Sequence, residues 1–278
     1  MILCAKENFY KFYFRAKNSF SERGLGKTPL GGPKWVFPNI LIVMDILNLL
    51  DFERLERLRA YSALMRDWNA KINLVSRKDI DSFEEHHLLP CVALAYVFAY
   101  SHDNVSPLSC SPDCDKFLEE NVLLNDQAVL QGKLNALSCN LLDVGTGGGL
   151  PGIPLAICFP NAKFTLIDSI GKKITAVQDM INQLGLKNVT AYQSRVETVN
   201  EKFDFVVARA VTALPDFWKL IRKNLKPSGA LYYLKGGDFS QDLARFKKNS
   251  YQIYNLPILD KKVVKIFPSP ACSKSEGF

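Results

Sequence analysis

Glycine is concentrated in one stretch of the chain, directly after a short apolar segment from Asn140 to Asp143. The glycines of this stretch are Gly145, Gly147, Gly148, Gly149 and Gly152. The residues from 153 to 159 then carry the pattern of the first turns of a helix. A strand, a glycine turn and a helix start bring backbone N–H groups close to a ligand, and a Cβ in the turn would block that approach. The stretch therefore predicts a ligand-binding loop at the end of a buried strand.

An acidic residue ends the next predicted strand, which runs from Lys163 to Asp168. In dinucleotide-binding folds an acid at this place hydrogen-bonds a ribose hydroxyl. The spacing Gly147-x-Gly149-x-x-Gly152 also fits the dinucleotide pattern. An NAD-binding oxidoreductase is therefore one alternative for this chain.

Asp143 favours a different cofactor. The run Asp143-x-Gly145-x-Gly147-x-Gly149 resembles motif I of S-adenosylmethionine (SAM) methyltransferases. That resemblance implies that the loop holds the amino-acid part of SAM and that Asp168 holds its ribose. An oxidoreductase would also need a catalytic histidine with a carboxylate near the later strands, and the sequence offers no convincing pair of this kind.

Strands and helices alternate through the rest of the chain. Helices are predicted over 174–184, 213–225 and 238–248, and strands over 188–193, 202–208 and 230–235. Two further segments, 251–256 and 262–267, predict a closing antiparallel pair. Alternating units with a glycine loop after the first strand predict an α/β fold of the Rossmann-like, doubly wound type. Its sheet is expected to be mostly parallel, with the site at the carboxyl ends of the strands.

A small helical region is predicted before the sheet, over residues 44–100. Apolar side chains there recur every three or four residues and form one face of a helix. They are Leu55, Leu58, Tyr61, Met65, Trp68 and Ile72. Ser82-x-x-Glu85 has the spacing of a capping box and predicts a second helix over 83–100, which Pro90 is expected to kink or to delay.

Three segments fall outside these two regions. Residues 1–43 are basic and acid-poor and predict a disordered extension, either sequence upstream of a start at Met44 or an organelle transit peptide. Residues 101–139 are rich in Ser, Asp, Asn and Pro and are interpreted as a connector or insertion. The cofactor-binding domain is expected to span 140–267, with 268–278 as a tail.

The composition is that of a soluble globular protein with a basic cofactor domain. Of 278 residues, 47% are hydrophobic and 23% are charged, and the formal net charge is +7. Residues 140–278 carry 19 basic and 11 acidic residues, a balance compatible with an anionic partner such as nucleic acid. Seven scattered cysteines without a secretory signal favour reduced thiols in the cytoplasm. Apolar runs are far shorter than the roughly 20 residues of a membrane span, so no membrane partner is expected.

Two groups of residues have types that bind metals. Cys110 and Cys114 are separated by three residues, but no second cysteine pair or matching histidine pair follows. His86 and His87 could bind a metal or act as acid–base groups, but they have no cysteine or acid at ligand spacing and are interpreted as polar surface and packing residues. No metal site is therefore predicted.

Several motifs together resemble the RsmG (GidB) family of bacterial 16S rRNA guanine-N7 methyltransferases, over about 44–267 without the 101–139 segment. The motifs are Trp68-Asn69-x-x-x-Asn73, Asp143-Val-Gly-Thr-Gly-Gly-Gly-Leu-Pro-Gly-Ile-Pro154, Asp168-Ser-x-Gly-Lys-Lys173, Ser194-Arg-Val-Glu197 and Ala208-Arg-Ala210. The resemblance implies a monomeric, SAM-dependent enzyme whose partner is 16S rRNA or the small ribosomal subunit. A SAM methyltransferase of another RNA or of a small molecule is a further alternative. The chain departs from the family at Pro90, where a polar residue is usual, and in the long 101–139 segment.

The resemblance also assigns site residues. It implies that Gly145 and Leu150 touch SAM. It implies that Val196 and Glu197 flank the adenine and that Arg209 lies by the methyl-transfer pocket. The positions of two of these residues permit a second interpretation: Glu197 could cap a helix at the surface, and Arg209 could form a surface salt bridge.

The proposed chemistry needs positioning groups rather than a base. Guanine N7 carries a free lone pair and no proton, so Arg209 and Asn73 are predicted to act by binding and orientation. Asn69 and Asn73 are one helical turn apart and are expected to share a face, where they could bond a base edge or cap the helix end. Side chains that could meet RNA phosphates, or only solvent, are Lys172, Lys173 and Lys235.

Overall fold

The computed structural model describes residues 50–101, 127–209, 211–256 and 260–268. The expectations for residues 1–43, for most of the 101–139 segment and for nearly all of the tail lie outside these residues. The described end of the connector forms a helix, Gln127–Ala136, and buries Leu130, Leu134 and Leu137.

A single sheet of seven strands forms the centre of the described fold. The strands are β1 Asn140–Val144, β2 Lys163–Asp168, β3 Val189–Gln193, β4 Phe203–Arg209, β5 Leu225–Gly236, β6 Tyr251–Asn255 and β7 Lys261–Ile266. Their spatial order is β3-β2-β1-β4-β5-β7-β6. Strand β7 runs antiparallel to both of its neighbours, and all other pairs are parallel. This confirms the predicted doubly wound sheet and its antiparallel pair, and it adds that β7 lies between β5 and β6.

The helices of the described residues either precede the sheet in the chain or connect its strands. They are α1 Phe52–Asn69, α2 Leu89–Ser101, α3 Gln127–Ala136, α4 Gly152–Cys158, α5 Gly171–Gln183, α6 Leu214–Ile221 and α7 Ser240–Leu243. The central strands are buried on both faces, as in Val206 to Ala208 of β4 and Leu231 to Leu234 of β5. Each fully buried Val or Leu stabilises the fold by about 1.5–3 kcal/mol, so this core holds the carboxyl ends of the strands firmly.

The helix predicted over 238–248 is much shorter in the structure. Only Ser240–Leu243 is α-helical, and a separate 3-10 turn follows at Lys248–Ser250. Within the predicted range only Phe239 and Leu243 are buried. These two side chains lie one turn apart, so a single turn is enough to bury them.

The end of α1 differs from the prediction that Asn69 and Asn73 share a helical face. The helix ends at Asn69, whose Oδ1 accepts hydrogen bonds from the N–H groups of Leu74 and Val75 at 2.9 and 3.0 Å. Asn73 lies beyond the helix and is exposed, 3.4 Å from the Nε of Arg77. The buried amide of Asn69 therefore closes the turn after the helix. Of its two predicted roles, a base contact or a cap at the helix end, this is the second.

A π-helical turn, Glu84–Leu88, precedes α2 and replaces the predicted capping box. No side-chain cap is formed there, and the N–H of Leu89 bonds the carbonyl of Glu84, five residues earlier. Pro90 explains the wide turn, because a proline has no N–H to donate and its ring clashes with the carbonyl four residues before it. The second helix is thus confirmed, with its regular part delayed to Leu89.

Candidate functional site

The carboxyl ends of four parallel strands meet at one edge of the sheet and gather most of the predicted site residues. The glycine loop follows β1, Asp168 ends β2, Gln193 ends β3 and Arg209 ends β4. The chain adds strands outward from β1 to β3 and then crosses to β4 on the other side of β1. This edge is therefore the switch point at which ligands bind in open α/β sheets.

The loop after β1 offers open backbone on one side and packs tightly on the other. Gly145 and Gly147 are partly exposed, and Gly147 has a φ of +58°. A Cβ at Gly147 would meet no atom closer than 4.0 Å, so the space beside it is open to a ligand. A Cβ at Gly148 would lie only 2.7 Å from the Cε of Met65, so α1 packs against the back of the loop. The hydroxyl of Tyr61 also donates to the carbonyl of Gly148 at 2.8 Å.

Asp143 is fully buried beneath the loop. Its Oδ2 accepts from the Thr146 hydroxyl at 2.6 Å and from the Gly152 N–H at 2.9 Å, and its Oδ1 has no partner. Burial raises the pKa of this carboxyl to about 7, against the hydrogen bonds from Thr146 and Gly152 that lower it. The side chain acts on the loop, because both of its hydrogen bonds fix the backbone that leads into α4.

We expect the Asp143→Asn variant to gain stability relative to the unaltered protein as the pH rises from 4 to 8. The carboxyl has an ordinary pKa of 3.8 and a folded pKa of about 7, so only the folded state holds the proton between these values. The stability from this group is therefore full below about pH 4 and is lost as the pH rises through 7. Urea unfolding at several pH values measures the difference, on the order of 4 kcal/mol. Parallel stability curves for the two proteins would contradict the raised pKa.

Asp168 joins the ends of β1 and β2. Its Oδ2 accepts from the N–H of Gly147 at 3.0 Å, and its Oδ1 accepts from the N–H of Ile170 at 2.9 Å. Each carboxylate oxygen keeps a further lone pair for a ligand hydroxyl. The side chain therefore fixes the open glycine at the end of β2, and its contact with a ribose stays a prediction.

The residues assigned to the adenine follow β3. They lie in a 3-10 turn, Val196–Thr198, in which Val196 is buried and Glu197 is exposed. Leu150 is almost fully buried, and its N–H bonds the carbonyl of Thr146 at 2.9 Å. Leu150 thus contributes its backbone to the loop, whereas Glu197 is exposed in the turn that follows β3.

Arg209 faces the helical region instead of a surface carboxylate. Its Nη1 donates to the Nδ1 of His87, 2.6 Å away, and the side chain is partly buried. Its charge lowers the pKa of three buried groups, Tyr61, Cys91 and Asp143, which burial itself raises. The guanidinium is therefore held at the edge among uncharged or weakly acidic neighbours, with donors left for a ligand.

Several other predicted residues are wholly or partly exposed. Among them Asn73 immediately precedes Leu74, whose backbone oxygen lies 4.0 Å from the place of a Cβ at Gly147. Asn73 is exposed near Arg77, and Lys172 is exposed at the start of α5. Lys235 pairs with Asp242 at 3.2 Å. These lysines stay available for phosphates only as partly or fully solvated groups.

The sequence favours a surface or packing role for His87 and gives no indication that the ring contacts Arg209. The side chain of His87 is 16% exposed, and burial followed by the charge of Arg209 lowers its pKa to about 4. The sequence signal for the position of this ring is indirect. Pro90, three residues later, widens the turn that carries His87 toward Arg209 at the end of β4.

The described ranges contain neither a cluster of metal ligands nor a helix that could span a membrane. Within those ranges no cluster of three or more His, Cys, Asp or Glu side chains has the geometry of a metal site. Cys110 and Cys114 lie outside them, so the expectation of no metal there stays a prediction. In the part of the chain that the structure describes, no helix has both the length and the apolar character of a membrane span.

The chain is similar in sequence to one family of methyltransferases. The family described as GidB, rRNA small subunit methyltransferase G, matches residues 115–263. The Ribosomal RNA small subunit methyltransferase G of Bacteroides fragilis is 37% identical over 210 residues, 73% of this chain and 84% of that protein. The protein of the same name from Flavobacterium johnsoniae is 39% identical over 205 residues, 72% of this chain and 81% of that protein.

Solved structures with similar folds are more distant. A ribosomal protein L11 methylase from Lactobacillus delbrueckii subsp. bulgaricus has a TM-score of 0.40 at 20% identity, covering 51% of this chain and 79% of that one. A SAM dependent methyltransferase from Aquifex aeolicus has a TM-score of 0.37 at 17% identity, covering 53% of this chain and 97% of that one. At these TM-scores nothing about function follows from them.

Proposed function

The chain belongs to the rRNA small subunit methyltransferase G (GidB) family, and on this premise we propose that it methylates N7 of a guanine in 16S rRNA, with SAM as the methyl donor. The observation that carries the proposal is the open glycine loop beside Asp168 and Arg209 at the switch point of the sheet. The glycine-loop fold and the family both support SAM as the cofactor. The description of the family supports small-subunit rRNA as the substrate.

The residues at this edge fit the parts of SAM. The partly exposed backbone of Gly145 and Gly147 would hold the amino-acid part, since a Cβ at Gly147 would fill the open space beside it. The free lone pairs of Asp168 would accept from the ribose hydroxyls. The 3-10 turn with Val196 and Glu197 would flank the adenine. When bound, SAM supplies an electrophilic methyl group on its sulfonium.

The remaining task of the protein is to hold the guanine. N7 attacks with its own lone pair, so the site needs orientation more than proton transfer. Arg209 has donors for the guanine oxygen or for a neighbouring phosphate, and we assign it to binding. Asn73, exposed beyond α1, is kept as a second contact to the RNA.

The single-turnover rate with bound RNA is expected to be nearly flat from about pH 6 to 9. The histidine beside Arg209 has a pKa of about 4 and is neutral over this whole range. Asp143 titrates near pH 7, but a proton on its free Oδ1 leaves Oδ2 able to accept from Thr146 and Gly152. Rapid-quench assays in overlapping buffers measure the profile. A steep rise through neutral pH that disappears when His86 or His87 is replaced would instead establish a histidine base.

The function is tested by transfer of labelled methyl from SAM to small ribosomal subunits isolated from cells that lack the modification. Mass spectrometry of the RNA is expected to locate one 7-methylguanine. NAD binding detected by fluorescence, without crosslinking of SAM, would favour the oxidoreductase alternative. RNA binding without SAM binding would indicate a non-catalytic module.

The setting of the activity follows from the same proposal. Its partner is 16S rRNA or the small ribosomal subunit, and the proposed compartment is the cytoplasm, where bacterial ribosomes are assembled. We also propose that the enzyme acts as a monomer.

A further inference from the structure

The π-helical turn before α2 delivers a histidine to the site edge. Glu84–Leu88 forms this turn, and the ring of His87 lies against Arg209, 122 positions later in the chain. Turns of this type occur mostly as single insertions in helices and are frequent at functional sites. The helical region thus contributes a side chain to an edge otherwise built from the sheet.

We propose that His87 is a positioning residue for methyl transfer, which accepts a hydrogen bond from Arg209 at Nδ1 and so fixes the guanidinium that binds the guanine. The inference rests on the proposed function and deepens it. It assigns a role to a histidine whose residue type alone would suggest a base.

The hydrogen-bond geometry settles the protonation of the ring. Arginine can only donate, so Nδ1 at 2.6 Å from its Nη1 must carry a lone pair, and the ring proton sits on Nε2. That Nε2 is buried without a hydrogen-bond partner and lies 3.9 Å from the Oδ2 of Asp79. The Asp79 carboxylate thus faces the nitrogen that bears the proton, which favours the required tautomer.

Charges around the ring keep it neutral. Besides Asp79, which raises its pKa, the groups facing His87 are Arg209, His86 and Lys261, all of which lower it. Burial acts in the same direction and is the largest cause, so the pKa is about 4. Below that value a proton at Nδ1 would place two cations face to face and expel the guanidinium.

The backbone of His87 is held as well as its ring. The Sγ of Cys91 donates to the carbonyl of His87 at 3.1 Å. Ring and backbone are therefore both fixed, as a positioning residue requires.

Two substitutions separate the hydrogen bond from the shape of the ring. His87→Asn places an amide oxygen near the position of Nδ1 and keeps the acceptor, whereas His87→Leu removes it. We expect His87→Leu to lower kcat about 10–100-fold and His87→Asn to stay within about threefold, with SAM affinity unchanged in both. The control is Asp81→Ala in the 3-10 turn Ile80–Ser82 just before, where the side chain is exposed, and it is expected to keep kcat.

A double-mutant cycle tests whether His87 acts through Arg209. If it does, His87→Leu should have little further effect on kcat in an Arg209→Ala background. The pH profile adds a second measurement, because the unaltered enzyme should lose activity as the pH falls through about 4, the pKa of His87, and His87→Asn should not. The assays use small ribosomal subunits that lack the modification, with melting followed in parallel.

The outcomes are distinguishable. Equal losses of kcat in His87→Asn and His87→Leu, or additive effects in the cycle, would overturn the positioning role. If His87→Leu fails to fold, the pH profile of His87→Asn decides, and an unchanged acid limb would overturn it. Absence of any methyl transfer by the unaltered chain would overturn the proposed function, and this inference with it.

Discussion

Replacing Arg209 with alanine is expected to slow methyl transfer by about 10²–10³-fold, the scale measured when a preorganised donor is removed from an active site. The residue ends β4 at the switch point, and its Nη1 is already fixed by His87. The loss should fall on the single-turnover rate with bound RNA. The profile from pH 6 to 9 should stay flat, because no proton transfer is removed.

Two further substitutions are compared with Arg209→Ala. Arg209→Lys keeps the charge without the planar fork and is expected to recover only part of the rate. Arg222→Ala removes an exposed arginine where α6 leads into the amino end of β5, far from the site edge, and should leave the rate unchanged. A new pH dependence in Arg209→Ala would instead indicate that arginine holds a titrating base in place.

Asp168→Ala is expected to weaken SAM binding about 10–100-fold. A hydrogen bond to a charged acceptor contributes roughly 1.5–3 kcal/mol, and the ribose would lose that acceptor. The substitution also leaves the N–H groups of Gly147 and Ile170 without their present partner, so the loop is expected to loosen. Calorimetric titration with SAM, below the melting temperature of the variant, measures the change.

An exposed carboxylate provides the control for this experiment. Asp216 pairs with Lys219 on the surface of α6, at 3.2 Å, and Asp216→Ala should bind SAM as the unaltered protein does. Unchanged affinity in Asp168→Ala would remove Asp168 from the cofactor site and would leave it only the bracing of Gly147.

Elements defined by local pattern could be predicted from the sequence. The buried strands β1, β2 and β4, the glycine loop and the acid that ends β2 are each specified within a few residues. Their meeting at one edge follows from parallel strand order, which alternating strands and helices impose. The glycine spacing and the acid thus predict where the loop and Asp168 lie in the sheet, and their role in binding SAM stays a prediction.

The missed features depend on distant contacts or on exceptional turns. Asn73 was placed on a helical face because the apolar period continues to Ile72, but the amide of Asn69 ends the helix by bonding the next turn. His87 was interpreted as a packing residue because its partner lies 122 positions away. The π-helical turn that brings His87 to Arg209 depends on the wider geometry allowed before Pro90. A helical period of apolar residues does not reveal such a turn.

The contacts of α1 with the glycine loop make the two elements one unit of stability. Tyr61 and Met65 hold Gly148 from behind, so α1 cannot unravel locally without freeing the loop. Any ligand that binds the ordered loop is thereby linked to the opening of α1. The helical region and the sheet domain, distinct in sequence pattern, are expected to exchange their slowest amide protons together and to respond together when the cofactor binds.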